Sequence, residues 1–126
     1  MEKEARPLIE QVLQMMEKAS GGDPRPMRVL ARIEPEFVYE QARSRMFVMD
    51  QPHLPGKYKH LIMIAVAAAV ESQMCTTVFM RGAKLAGVTK EEIAEAIMVA
   101  RQARASTIFA TAAEGFEAIL EESSGQ

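Results

Sequence analysis

The sequence predicts an all-α domain of about six helices, on three observations. Apolar residues recur at three- and four-residue spacing along almost the whole chain. Glycine and proline clusters such as Ser20-Gly21-Gly22-Asp23-Pro24 and Gln51-Pro52-His53-Leu54-Pro55-Gly56 separate these stretches. No strand-like alternation, hairpin signal or internal repeat interrupts the pattern. At 126 residues the chain, 1–126, reads as one domain, large enough for a hydrophobic core.

The first helix carries Leu8, Val12, Met15 and Met16 at helical spacing and stops at Ser20-Gly21-Gly22-Asp23-Pro24. Pro26 and Pro35 suit the first turns of two further helices, where the missing N–H of proline costs nothing. The helix at about 35–49 places Val38, Ala42, Met46 and Met49 on one face. Gln51-Pro52-His53-Leu54-Pro55-Gly56 is a loop by composition. The helix at about 57–71 has no polar residue from Leu61 to Val70. A helix apolar all round is buried on every side, so either its own chain wraps it or a second subunit covers part of it. The helix at about 73–86 ends at Gly87, a good residue for the left-handed position after a helix. Thr89 and Glu92 then form a capping box for a helix with Ile93, Ala96, Ile97 and Ala100 on one side. A last helix is expected after Ser106, burying Phe109, Ala112, Ala113, Phe116 and Leu120, and residues 121–126 are expected to fray.

Composition excludes several classes. Net charge is −2 with both signs interspersed and aromatics are 6%, which leaves no basic stripe or stacking platform for nucleic acid. The apolar run from Leu61 to Val70 is about half the roughly 20 residues of a membrane span, so no membrane contact is expected. The start, Met1-Glu2-Lys3-Glu4-Ala5-Arg6, has no apolar export signal, and one cysteine cannot form an internal disulfide. A cytoplasmic protein is expected. Two histidines and one cysteine without ligand spacing predict neither a metal nor another cofactor. The ten methionines are scattered over several helices and read as packing residues rather than a metal site.

The segment from Glu71 to Ile93 carries a more specific signal. It holds Ser72, Cys75, Phe79, Ala83 and Gly87, then Val88-Thr89-Lys90-Glu91-Glu92-Ile93, after an Ala-rich helix introduced by Leu54-Pro55-Gly56-Lys57. This layout resembles the carboxymuconolactone decarboxylase / alkylhydroperoxidase D family, over about residues 35–120. Redox members of that family carry C-x-x-C-x-x-x-H-x-x-x-A-x-x-x-G. Here Cys75, Ala83 and Gly87 match, Ser72 replaces the first cysteine and Phe79 replaces the histidine. The resemblance implies an all-α homo-oligomer, a trimer or hexamer, acting on a small molecule. It also implies a reactive thiol at Cys75, and a dithiol cycle that Ser72 cannot complete. Any peroxiredoxin-type activity is then limited to a one-cysteine mechanism. A decarboxylase-like activity on a small carboxylated lactone and a non-catalytic oligomer are the alternatives.

Four candidate site residues follow. Cys75 lies near a helix start, where amide groups and the dipole favour a thiolate, although a lone cysteine is equally a small packing residue. Ser72 stands where the resemblance places its partner cysteine. His60 stands where the family commonly carries a glutamate of a proton relay, and a histidine there can exchange a proton near neutral pH or simply face solvent. Glu71 is either a general base or a solvated helix-end charge. Arg81 and Lys84 on the motif helix are placed to meet an anionic substrate if they are not merely solvated, and His53 in the loop has no specific role.

Overall fold

The computed structural model describes residues 6–125. Residues 1–5, on which the absence of an export signal rests, and Gln126 of the tail lie outside them. Six helices follow one another: α1 Ile9–Ser20, α2 Arg25–Ala31, α3 Pro35–Asp50, α4 Gly56–Ala69, α5 Gln73–Leu85 and α6 Lys90–Ser124. The all-α class is as predicted, with no strand among the described residues. No described helix is long and apolar enough to cross a membrane.

Two apolar clusters organise the chain. Val12 and Leu13 of α1 and Val38 of α3 form one, with Met27 and Leu30 of α2 against it. Ile64 of α4, Ala83 of α5, Val88, and Ile93 of α6 form the other, joined by Leu61, Phe79, Met80 and Ile97. α1 and α5 meet at Gly82, where a Cβ would make van der Waals contact with the Ala19 carbonyl oxygen at 3.4 Å. The α6 start is tied down twice. Thr89 and Glu92 make the predicted capping box, and Glu92 also pairs with Lys57 of α4 at 2.8 Å. Lys57 first, and then the amide of Thr89, pull the Glu92 carboxyl down to about 2. Its contribution is therefore present above the ordinary carboxylate value and is lost as pH falls toward 2.

Several expected faces are corrected. Leu8 and Met15 of the first stripe are exposed, and Leu13 takes the buried place. Met46 of α3 is also exposed. On α4, Ile64 and Ala67 are buried, whereas Ile62, Val66 and Val70 are 49%, 57% and 69% exposed. The single chain covers one side of that apolar helix and leaves the other open. The two helices expected between Thr89 and the tail are one, because Arg101 to Ser106 contains no glycine, proline or cap to stop propagation. The tail is helical through Ser124 rather than frayed. Phe109, Phe116 and Leu120, expected to be buried, are exposed, because α6 runs far beyond the end of α4.

Candidate functional site

The connection between α4 and α5 is three residues long, Val70-Glu71-Ser72, and its backbone is closely specified. The Ser72 amide donates to the Ala67 carbonyl at 3.0 Å and the Glu71 amide to the Ala68 carbonyl at 3.0 Å. These are the paired bonds of a Schellman motif, which needs its penultimate residue in the left-handed region. That residue is Glu71, with φ 63°. The same motif closes α5, where Val88 and Gly87 donate to Ala83 and Lys84, and there the left-handed residue is Gly87. A side chain in this conformation costs roughly 1–2 kcal/mol, which glycine avoids. Glu71→Gly is therefore expected to raise the unfolding free energy by about 0.5–1 kcal/mol, after allowance for the greater freedom of unfolded glycine. Thermal unfolding of the two proteins checks this. An unchanged or lower midpoint would mean that the carboxylate supplies a compensating contact.

Ser72 follows directly and is the N-cap of α5. Its Oγ accepts from the Cys75 amide at 3.4 Å, and its carbonyl accepts from the Thr76 hydroxyl at 2.7 Å. The serine at the first motif position thus has a positive role in starting the helix. Cys75 is free and half-buried in the first turn of α5. Ser72 and Cys75 are brought together by this cap.

His60 is placed elsewhere. It lies nine residues before the end of α4, about 13 Å along the helix, while Cys75 is two residues, about 3 Å, into α5. The short connection makes α4 and α5 antiparallel neighbours, so the two side chains start from levels about 10 Å apart. Phe79 occupies the intervening turn of α5 and packs into the cluster around Ile64. No hydrogen bond links His60 with Cys75 among the described residues. Burial, and secondly the positive charge of Arg45, lower the pKa of His60. The neutral imidazole is thus the favoured form. Its stabilising contribution is full above pH 6.5 and is lost as pH falls through the lowered value. Arg81 lies against the α1–α2 turn, where its Nη1 would be 3.0 Å from a Cβ on Gly22. Lys84 and His53 are exposed.

Glu71 instead belongs to an open cleft between the end of α4 and the middle of α6, about 480 Å³ in volume. Ala68, Ile97 and Ala100 contribute apolar walls, and Arg101 and Arg104 stand with Glu71 at its polar side. Arg104 donates from Nη1 to the Ala69 carbonyl at the end of α4. Arg101 makes no hydrogen bond or ion pair among the described residues. An apolar floor with guanidinium groups fits a small anionic molecule. Sequence reasoning missed Arg101 and Arg104, although their three-residue spacing alongside Ile97, Ala100 and Ala105 places them on the apolar side of α6. No group of three or more His, Cys, Asp or Glu residues that could hold a metal occurs among the described residues.

Known proteins are similar to this chain in sequence. A protein of Paracoccus denitrificans described as "Uncharacterized protein 4 in cox locus" is 34% identical over 110 residues, spanning 87% of this chain and 95% of that protein. A match to the carboxymuconolactone decarboxylase family covers residues 35–118, from the start of α3 into the distal part of α6. It takes in the α4–α5 hairpin, the Cys75 turn and the cleft, and on that extent the chain belongs to the carboxymuconolactone decarboxylase family.

Proposed function

We propose that this chain is an alkylhydroperoxidase D-like thiol oxidoreductase limited to one cysteine, working as a homo-oligomer on a small hydroperoxide. The observation that carries the reading is the position of Cys75, half-buried in the first turn of a helix whose N-cap hydroxyl is Ser72. The thiolate is the nucleophilic form of a cysteine and is the form that reacts. The thiolate sulfur attacks the distal oxygen of ROOH, forming an S–O bond as the O–O bond breaks. The leaving alkoxide takes up the proton that the thiol gave up, so ROH departs, the peroxide is reduced and Cys75 becomes a sulfenic acid. Ser72 has no sulfur with which to resolve it. An external thiol forms a mixed disulfide with loss of water, and a second releases Cys75 and leaves as the oxidised disulfide. The cycle suits a compartment that keeps thiols reduced, the cytoplasm.

Substoichiometric alkyl hydroperoxide is expected to add one oxygen to the intact mass, lost again on adding a small thiol. Cys75→Ser should abolish both that addition and thiol-dependent peroxide consumption. Turnover with Cys75 unmodified, or undiminished in Cys75→Ser, would refute the reading.

A decarboxylase-like activity on a small carboxylated lactone is the second reading, favoured by the pairing of Arg101 and Arg104 with an apolar floor. It predicts the opposite pattern: turnover survives Cys75→Ser and falls at least tenfold in Arg101→Ala.

A further inference from the structure

Helix α6 has 35 residues, about 52 Å, whereas α4, against which it packs, has 14, about 21 Å. From residue 106 to 125 every residue except Ala112 is exposed on the single chain. That arm is nevertheless patterned. Ala105, Phe109, Ala112, Phe116 and Ile119 are spaced 4-3-4-3, the alternation of a coiled-coil seam. Phe109 is 74% exposed, Phe116 55% and Ile119 60%. An apolar seam of this kind is not stable in water alone.

The accessible surface points the same way. The chain exposes 9732 Å². A compact monomer of 14.0 kDa exposes about 6,700 Å². The excess, about 3,000 Å² per chain, exceeds the roughly 800 Å² per partner of a standard interface and suits an obligate one.

We infer that the occupant of this seam is a second copy of the same arm, packed antiparallel about a two-fold axis near residues 110 and 111. Two independent patterns select that polarity and register. The first is size. With the axis there, Phe109 packs on the partner's Ala112, and Phe116 on the partner's Ala105, so each ring meets a small residue. A parallel pairing would set each phenylalanine beside its own copy. The second is charge. The proximal part of the arm region carries Arg101 and Arg104, and the distal part carries Glu114, Glu117, Glu121 and Glu122. Antiparallel packing lays the basic part on the acidic part. Arg101 and Glu122 both flank the seam on the same side, so Arg101 faces the partner's Glu122. Parallel packing would set like charges side by side.

The pairing has a consequence for the cleft. Arg101, Arg104 and Ala105 belong to it, so the distal end of the partner's arm lies across its mouth. The cleft is complete only in the pair, and the partner's Glu122 sets how much positive charge Arg101 offers to a ligand. A two-fold contact builds a dimer or hexamer and not a plain trimer. None of this depends on the chemistry of Cys75.

Light scattering on the full chain is expected to give an even-numbered assembly at micromolar concentration. Phe109→Glu/Phe116→Glu is expected to weaken that association at least a hundredfold. Both residues are exposed on the single chain, so the helical circular dichroism of the remainder should persist. Arg101→Glu should weaken association about tenfold, and Arg101→Glu/Glu122→Arg should restore it, because the exchange re-forms both pairs. Failure of the double exchange to restore association would overturn the register. A wild-type monomer, or unchanged mass in the double phenylalanine variant, would overturn the pairing itself.

Discussion

Replacing Lys59 with methionine is expected to lower the unfolding free energy by about 3 kcal/mol, although no ion pair is removed. Lys59 is in the first turn of α4 and is only 7% exposed. Its Nζ donates to the Met49 carbonyl at 2.8 Å and to the Gln51 carbonyl at 2.6 Å. Those oxygens belong to the end of α3, where the last turn of a helix has no amide partners of its own. The ammonium satisfies both and complements the negative end of the α3 dipole. It also fixes the loop 51–55 by joining the helices on either side. Methionine keeps the stem's volume but leaves two sheltered carbonyls without a donor. Lys57→Met, one turn edge away, is the control: its partner Glu92 is a surface contact and its loss should change the denaturation midpoint little. Urea unfolding of the three proteins compares them. Equal midpoints for Lys59→Met and Lys57→Met would show that water reaches the end of α3.

Lys59 also marks where sequence reading stopped. The helix ends were legible because they rest on local chemistry: Gly21, Pro35, Gly87 and the Thr89–Glu92 box all act within one turn of their own position. The family resemblance was legible for the same reason, since it rests on residue types at fixed spacing in one segment. Lys59 was not, because its role depends on an α3 end eight to ten residues upstream, and periodicity treats it as one more polar residue before an apolar run. Glu71 was singled out for its charge, but its left-handed backbone became visible only beside the same motif at Gly87. Among the candidate site residues, Ser72 and Cys75 are joined by a cap within four residues of chain. His60, inferred by counting back along α4, is separated from Cys75 by the turn bearing Phe79. Arg101 and Arg104 escaped because the expected break after Ala105 assigned them to a helix end. The unbroken α6 puts them in the middle of a face.

Two isoleucines on α4 separate fold stability from assembly. Ile64 is fully buried among Ala83, Val88 and Ile93, and holds α5 and α6 to α4. Ile64→Ala is expected to cost about 3–4 kcal/mol, the loss of burial plus the cavity left in a cluster that spans three elements. Ile62 is two residues away on the opposite, open side, where it is 49% exposed, in line with Val66 and Val70. Ile62→Ser removes no contact of the buried cluster, so an isolated chain should tolerate it within about 0.5 kcal/mol. The surface in excess of a compact monomer includes this stripe as well as the α6 arm, and the proposed arm pairing leaves the stripe available to further copies. In an assembled protein, apparent stability rises with concentration, because association favours the folded state. Denaturation midpoints measured across a hundredfold range of concentration therefore tell the two variants apart. Ile64→Ala should lower the midpoint at every concentration while keeping the wild-type slope. Ile62→Ser should match wild type at the lowest concentration and fall behind as it rises. Identical slopes for Ile62→Ser and wild type would mean that the open side of α4 stays in solvent and that the arm of α6 carries the assembly alone.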